Sequence, residues 1–319
     1  MEYRRLGRTG LKLSEIGLGG WLTFGDSVGE SDADRIIRRA FDLGINFYDT
    51  ANVYATGESE RIMGQALSQF PREEIILATK VRGRMWPGPL GEGLSRKHII
   101  SAVDHSLKRL GVDYIDLYQI HWPDAETPIE ETLQALSDLV HQGKVLYVGC
   151  SNFTAVELQD ALDLAEEYGL VRMDSVQPHY NMIFRGPEDS LLPLCAEEAI
   201  GVVVYSPLAQ GLLSGRYHKG YKPHPGERPH TNEHFGKAYL TAPNLKVVGE
   251  LAEMAKQSGH TLAQYALAWI LRRPEITSVI VGASKIEHIE DNARASGYAI
   301  PDVELTAIDE VMRGIVARV

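Results

Sequence analysis

Three apolar segments of this sequence each end in an ionisable side chain. Residues 46–49 close with Asp49, residues 75–80 with Lys80 and residues 115–121 with His121, and Tyr54 follows Asp49 by five positions. Taken singly, each has an ordinary structural explanation, such as a turn for the aspartate or a solvated loop for the lysine. Their recurrence at successive segment ends instead favours one shared site.

These side-chain types suit proton transfer coupled to hydride transfer. Reduction of a ketone or an aldehyde builds negative charge on oxygen, so the site needs a proton donor there. A phenol with an ordinary pKa of about 10 is a weak acid near neutrality, and a neighbouring ammonium favours a lower value. We therefore expect that Lys80 lowers the pKa of Tyr54, that Asp49 pairs with Lys80, and that His121 orients the carbonyl.

The elements that must position these residues alternate between short apolar strands and amphipathic helices. Apolar strands are typical of a parallel sheet buried on both faces, and eight of them alternating with helices predict a closed (β/α)8 TIM barrel. Catalytic groups of such a barrel lie where its strands end. The predicted strands are 16–19, 46–49, 75–80, 115–121, 145–149, 175–177, 202–205 and 278–281.

Further elements flank the barrel. A β-hairpin is predicted at 3–6 and 11–13, and an extra C-terminal helix at 303–319. Three helices within the repeat have end signals: 31–43 begins at a capping serine, and 95–110 and 154–168 end before Gly111 and Gly169. No linker divides the chain, so residues 1–319 are predicted to form a single domain.

One segment, 212–243, is far longer than an ordinary connection in this kind of barrel and is interpreted as a lid. It contains His218, His224, His230 and His234, whose spacing fits no standard metal site. No metal is therefore expected.

The composition excludes several classes of partner. The net charge of −11 argues against nucleic acid or an anionic membrane, which need clustered Lys and Arg. Cys150 and Cys195 have no metal-ligand spacing and suggest no disulfide framework, and Cys150 is interpreted as a packing residue. No apolar run approaches the roughly 18 residues of a membrane span, and the N-terminus carries no export pattern. The expectation is a soluble, cytoplasmic protein.

Several motifs in order resemble the aldo-keto reductase family. They are the run Asp49-Thr50-Ala51-Asn52-Val53-Tyr54 with Gly57-Glu58-Ser59-Glu60 after it, then Thr79-Lys80, and then Gln119-Ile120-His121-Trp122-Pro123-Asp124. The resemblance covers nearly the whole chain. It implies an oxidoreductase that moves a hydride from NADPH to an aldehyde or ketone, with Tyr54 as general acid and Asp49, Lys80 and His121 completing a tetrad.

The resemblance also implies cofactor contacts. Ser151, Asn152 and Gln177 correspond to the residues that hold the nicotinamide carboxamide, and Tyr205 to the one that stacks on its ring. The segments around the diphosphate and the adenosine 2′-phosphate contribute Ser206, Leu208, Gln210, Gly211, Ser214, Arg216, Gly282, Ser284, Lys285, His288, Asp291 and Asn292. His288 stands where many members have an arginine on the 2′-phosphate, so NADH is the alternative cofactor.

Within the family, residues 21–25, 91–100 and 128–132 are similar to the branch of potassium-channel β subunits and their microbial relatives. An alternative function is therefore a cofactor-binding regulatory subunit with vestigial catalysis, although the retained His121 favours an enzyme. A metal-dependent hydrolase would need a His-x-His pair at an early strand end, and none is present. Trp21, Trp86 and Trp122 suggest an aromatic pocket for a small carbonyl substrate, with specificity in loops 22–30, 82–95 and 212–243.

Overall fold

The fold is a closed barrel of parallel strands surrounded by helices. The computed structural model describes residues 1–217, 221 and 239–315. Eight strands pair in the order β10-β3-β4-β5-β6-β7-β8-β9, and β10 pairs with β3 to close the ring. They are β3 (Ile16–Gly19), β4 (Phe47–Asp49), β5 (Ile76–Val81), β6 (Ile115–Ile120), β7 (Val145–Ser151), β8 (Ser175–Gln177), β9 (Gly201–Val204) and β10 (Ile276–Val281).

The predicted TIM barrel is thus confirmed, and every predicted strand overlaps an observed one. The strands form because β-branched and aromatic side chains fill both faces of the wall. Side chains that point inward, including Phe47, Ala78, Leu117 and Val203, pack together in the centre, and those that point outward join the core beneath the helices. That outer core runs in one cluster from Ile16 to Met312.

The predicted N-terminal hairpin is also present, as β1 (Tyr3–Arg5) and β2 (Lys12–Ser14). Leu6 and Leu13 are fully buried against the central layer of the barrel. The turn needs glycine at position 7, because a Cβ atom there would lie 2.3 Å from the carbonyl oxygen of Ala199. The hairpin therefore closes the barrel at the amino ends of the strands. The end of the barrel at the carboxyl ends of the strands stays open.

The helices cover the barrel wall, and the described residues contain these: α1 (Glu30–Asp42), α2 (Glu58–Leu67), α3 (Arg96–Leu110), α4 (Ile129–His141), α5 (Ala155–Tyr168), α6 (Leu191–Glu197), α7 (Ala242–Gln257), α8 (Leu262–Leu271), α9 (Ile286–Ala293) and α10 (Asp302–Met312). None of the helices within this described part is long and apolar enough to cross a membrane.

Helix ends agree with the sequence signals in most places. Ser95 caps α3 by accepting from the His98 N–H, and Gly111 and Gly169 end α3 and α5 in the left-handed conformation. The cap predicted at Ser31 is wrong: α1 begins one residue earlier, after Gly29, without a side-chain cap.

The C-terminal helix was predicted too long. It ends at Met312, and Gly314 then adopts a φ of +102°, which an L-residue rarely adopts. A 3₁₀ turn at Ala209–Ser214 overlaps the start of the segment 212–243, and α7 begins at Ala242, near its end. The four histidines of that segment lie outside the described residues. Among the residues that are described, no group of three or more His, Cys, Asp or Glu is arranged to hold a metal.

Candidate active site

Lys80 connects the candidate catalytic residues. Its ammonium nitrogen donates to Oδ2 of Asp49 at 2.6 Å, to the carbonyl oxygen of Thr50 at 2.9 Å and to the hydroxyl oxygen of Tyr54 at 3.3 Å. An ammonium has three N–H donors, so all of them are used. Because the Tyr54 oxygen accepts from Lys80, the phenolic hydrogen of Tyr54 remains available to another acceptor.

Strand register explains this meeting. Asp49 ends β4, Lys80 lies near the end of the adjacent β5, and β4 pairs with β5 in parallel register. Lys80 is fully buried and Asp49 is 3% exposed, so each charge needs the other. Tyr54 lies in a short 3₁₀ turn after β4, in which Ala55 and Thr56 have φ values of 46° and 55°. Such backbone strain is common at functional sites.

Burial outweighs the expected lowering of the Tyr54 pKa by Lys80, although Lys80 does act in the expected direction. Burial raises the pKa of Tyr54 above its ordinary value, while the Lys80 ammonium acts in the opposite direction and only partly compensates. The depth of this burial is not encoded in the local sequence pattern. Burial acts to lower the pKa of Lys80, but Asp49 and Tyr54 raise that pKa above its ordinary value. Tyr54 is therefore a neutral phenol and Lys80 a cation at neutral pH.

His121 follows β6, and its ring meets the Tyr54 ring edge-on at a centroid distance of 5.6 Å. Burial, followed by the charges of Lys80 and Arg82, lowers the pKa of His121 to about 3. The imidazole is therefore neutral across the physiological range, and one ring nitrogen carries a hydrogen that can be donated to a carbonyl oxygen.

A group of amide side chains lies directly beneath the cavity. Gln177 Nε2 donates to Asp49 Oδ1 at 2.9 Å and to Gln119 Oε1 at 3.2 Å, and Gln119 Nε2 donates to the same Asp49 oxygen at 3.2 Å. Both oxygens of Asp49 thus accept hydrogen bonds. Gln119 belongs to the motif at residues 119–124, but the sequence pattern does not mark it as a site residue.

A second group links Asn152 to the opposite wall. Asn152 Nδ2 donates to the carbonyl oxygen of His121 at 2.9 Å, and its Oδ1 accepts from the Tyr205 hydroxyl at 2.8 Å. Tyr205 stacks on His179 with ring centroids 5.2 Å apart, and Asn181 Nδ2 lies 3.2 Å from His179 Nε2. Burial lowers the pKa of His179 to about 4, so this ring is also neutral.

Most of these groups line one cavity of about 1340 Å³ at the carboxyl ends of the strands, whereas Lys80, Gln119 and Asn181 do not. Of the predicted site residues, all but Lys80 and Lys285 line it. Lys80 lies beneath its surface, whereas Lys285 is exposed and precedes α9. The cavity extends from the tetrad past Ser206 and Gln210 to Asn292.

The far end of the cavity has one positively charged lining residue among those described. Arg216 lines it, and Ser284 Oγ lies 3.3 Å from His288 Nδ1. Burial lowers the pKa of His288, with contributions from Arg216 and Lys285. Asp291 lines the same end and accepts from Thr261 Oγ1 at 2.9 Å and from Gln264 Nε2 at 2.6 Å. An anionic group could thus bind near Arg216, Lys285 and Ser284.

One of the three tryptophans expected in the pocket lies elsewhere. Trp21 and Trp122 line the cavity, but Trp86 does not; it packs on His98 and His105 instead, and no residue of 82–95 lines the cavity. His179 and Phe184 also line the cavity, although nothing in their spacing marks them, and Tyr239 lines it from the 212–243 segment expected to contribute to specificity. Cys150 is fully buried, and burial raises the pKa of its thiol, as expected of a packing residue.

The parallel barrel thus brings Asp49, Tyr54, Lys80 and His121 together at the carboxyl ends of its strands. A family model described as aldo/keto reductase family matches residues 15–313. The chain belongs to the aldo/keto reductase family and is an oxidoreductase of that family.

Relatives match over nearly their whole length. The chain is 40% identical over 301 residues to a probable voltage-gated potassium channel subunit beta of Arabidopsis thaliana, covering 92% of this chain and 91% of that protein. It is 38% identical over 319 residues to the L-glyceraldehyde 3-phosphate reductase of Escherichia coli K12, covering 97% and 92%. It is 39% identical over 324 residues to a putative voltage-gated potassium channel subunit beta of Schizosaccharomyces pombe, covering 98% and 93%.

Proposed function

We propose that this protein reduces an aldehyde or ketone with NADPH, and that Tyr54 is the proton donor. The observation that carries the proposal is the position of the Lys80 ammonium between the Asp49 carboxylate and the Tyr54 hydroxyl. A neutral phenol, held by a cation on its oxygen, can give its hydrogen to a carbonyl oxygen in the cavity. The resulting phenolate would then be stabilised by the same cation.

The residues present fit a phosphorylated dinucleotide. The cavity is larger than the roughly 300–1,000 Å³ of an ordinary small-molecule pocket, as a cofactor and a substrate together require. Ser151, Asn152 and Gln177 offer amide and hydroxyl groups for a carboxamide at the tetrad end. Arg216 and Lys285 offer charge for a 2′-phosphate at the other end. When bound, the cofactor supplies the hydride.

The protein side of the reaction has three steps. First, the Tyr54 hydroxyl and the neutral His121 ring donate hydrogen bonds to the substrate carbonyl oxygen and orient it. Second, as the carbonyl carbon accepts the hydride, both donors stabilise the charge that develops on oxygen. Third, the Tyr54 proton moves to that oxygen, which gives the alcohol and leaves a phenolate beside Lys80. Oxidation of an alcohol follows the same path in reverse.

The proposal includes a single barrel domain over residues 1–319, supported by the continuous outer core from Ile16 to Met312. It also includes a cytoplasmic location, supported by two buried cysteines that are both free. The substrate is a small carbonyl compound.

The alternative function is that of a cofactor-binding regulatory subunit. Its support is the similarity to proteins named as potassium channel β subunits. The complete tetrad favours the enzyme, since a regulatory role alone would not require it.

One assay separates the two functions. A panel of aldehydes and ketones should oxidise NADPH, and more slowly NADH, in the presence of the protein. Binding of NADPH without turnover on any member of a broad panel would support the regulatory role instead.

A further inference from the structure

We propose that Gln119 is a positioning residue that couples the cofactor carboxamide site to the Asp49–Lys80–Tyr54 array. This inference rests on the proposed function, because it concerns the same reaction. Gln119 is fully buried and does not line the cavity, so it cannot touch cofactor or substrate. Any effect it has must pass through its two side-chain partners.

The first partner is Asp49, whose negative charge holds Lys80 in place. Asp49 uses Oδ2 for Lys80 and accepts both Gln119 Nε2 and Gln177 Nε2 on Oδ1. Two amide donors on one buried carboxylate oxygen stabilise its charge. Without the Gln119 donor, more of that charge would act on Lys80 and Tyr54.

The second partner is Gln177, a candidate for binding the cofactor carboxamide. Its Nε2 has two hydrogens, one on Asp49 Oδ1 and one on Gln119 Oε1. The orientation of the Gln119 amide follows from charge, because its reversal would set a carbonyl oxygen against the carboxylate. Because both Nε2 hydrogens are donated to Asp49 and Gln119, the Gln177 amide oxygen points away from Asp49. In that position the oxygen could accept a hydrogen bond from a carboxamide N–H.

Gln119 thus closes a triangle of three side chains that come from β4, β6 and β8. The triangle fixes which atoms of Gln177 point toward Asp49. Donation to Gln177 Oε1 by a carboxamide would polarise that amide and strengthen its hydrogen bond to Asp49, because linked hydrogen bonds reinforce one another. Cofactor binding would therefore change the charge distribution at the Asp49–Lys80 ion pair, which contacts Tyr54.

The test is a double-mutant cycle on the dissociation constant of NADPH. Gln119→Met keeps the volume of the side chain and removes both hydrogen-bonding groups. We expect it to weaken NADPH binding about five-fold in the wild-type background, and less than two-fold in a Gln177→Met background. Equal effects in both backgrounds would overturn the proposal.

The second readout is the pH profile of alcohol oxidation in single turnovers, which rises as Tyr54 loses its proton. In Gln119→Met this rise should move upward by roughly half a pH unit or more, because less of the Asp49 charge is compensated. A rise that stays in place or moves downward would contradict the proposal. Tyr118→Phe is the matched control. It lies on the same strand, is equally buried, loses a hydroxyl without a partner among the described residues, and should change neither readout.

Two further observations keep the outcomes separate. If wild-type protein neither binds NADPH nor turns over, the proposed function fails; if it does both and the cycle is additive, only this inference fails. Should Gln119→Met not fold, a crystal structure of the wild-type complex with NADP⁺ decides the question. Retention of the Gln119 contacts to Asp49 and Gln177 is expected, and their separation would overturn the proposal.

Discussion

The Lys80 ammonium donates to the oxygen of Tyr54 across 3.3 Å, although the two residues are 26 positions apart in the chain. The direction of this hydrogen bond has two chemical consequences. It leaves the phenolic hydrogen of Tyr54 unused by Lys80, and it places a cation where a phenolate would form. Under the proposed function, this arrangement lets a buried weak acid donate its proton while it is still neutral.

Replacement of Tyr54 by phenylalanine removes only this hydroxyl. We expect Tyr54→Phe to lower kcat for carbonyl reduction by about 10²-fold or more, because the proton donor is lost, while the dissociation constant of NADPH stays near the wild-type value. Steady-state kinetics and fluorescence titration measure the two quantities. Wild-type turnover in this variant would remove Tyr54 from the mechanism.

Lys80→Met tests the cation. Because Lys80 lowers the pKa of Tyr54 against the effect of burial, its loss should raise that pKa further. Reduction should slow by about 10²-fold, and the rise of alcohol oxidation with pH should move upward. The variant also leaves Asp49 buried without its cation, a change that typically costs about 3–5 kcal/mol of stability. Denaturant unfolding should therefore accompany the assays, and an unshifted pH profile in folded protein would refute the Lys80–Tyr54 coupling.

Much of this site could be predicted from the sequence because parallel barrels follow a simple rule. Apolar strands end at one rim, so Asp49, Lys80 and His121 had to approach one another once their strands were identified. The resemblance added residues such as Asn152 and Gln210, which spacing alone does not mark.

The features that could not be predicted depend on how deeply a side chain is buried and on the local backbone conformation. Burial decides the direction of the Tyr54 pKa, and no local pattern encodes it. Asn152, Ser206 and Gln210 have positive φ values of 60°, 52° and 54° at the cavity wall, and such strained conformations depend on tertiary contacts. Trp86 was misassigned for the same reason, since its partners His98 and His105 lie on α3 and face away from the cavity.

Cofactor preference can be tested at the far end of the cavity. Arg216→Leu and Lys285→Leu should each raise KM for NADPH by about ten-fold and leave KM for NADH nearly unchanged, because only NADPH carries the 2′-phosphate. Lys246→Leu, on the exposed side of α7, is the control for loss of a positive charge. Equal changes in KM for NADPH and NADH would show that neither residue binds the 2′-phosphate.

The neutral histidines predict a dependence of stability on pH. His121 and His179 have pKa values of about 3 and about 4 in the folded protein, against about 6.5 in an unfolded chain. Between these values the unfolded state binds protons that the native state does not, so the free energy of unfolding falls as pH falls below about 6.5. Each ring contributes at most about 1.4 kcal/mol per pH unit in that window.

His179→Gln isolates one contribution, because glutamine keeps a polar group beside Tyr205 and does not titrate. Urea unfolding at pH values from about 6.5 down to about 4.5 should show a shallower loss of stability than in wild type. Above about pH 7.5 the difference between the two proteins should be constant, since an ordinary imidazole is then neutral in both states. Replacement of the exposed His141 by glutamine is the control for the loss of an imidazole. Parallel curves for wild type and His179→Gln over the whole range would mean that the His179 ring is already protonated in the native protein, and that burial does not keep it neutral.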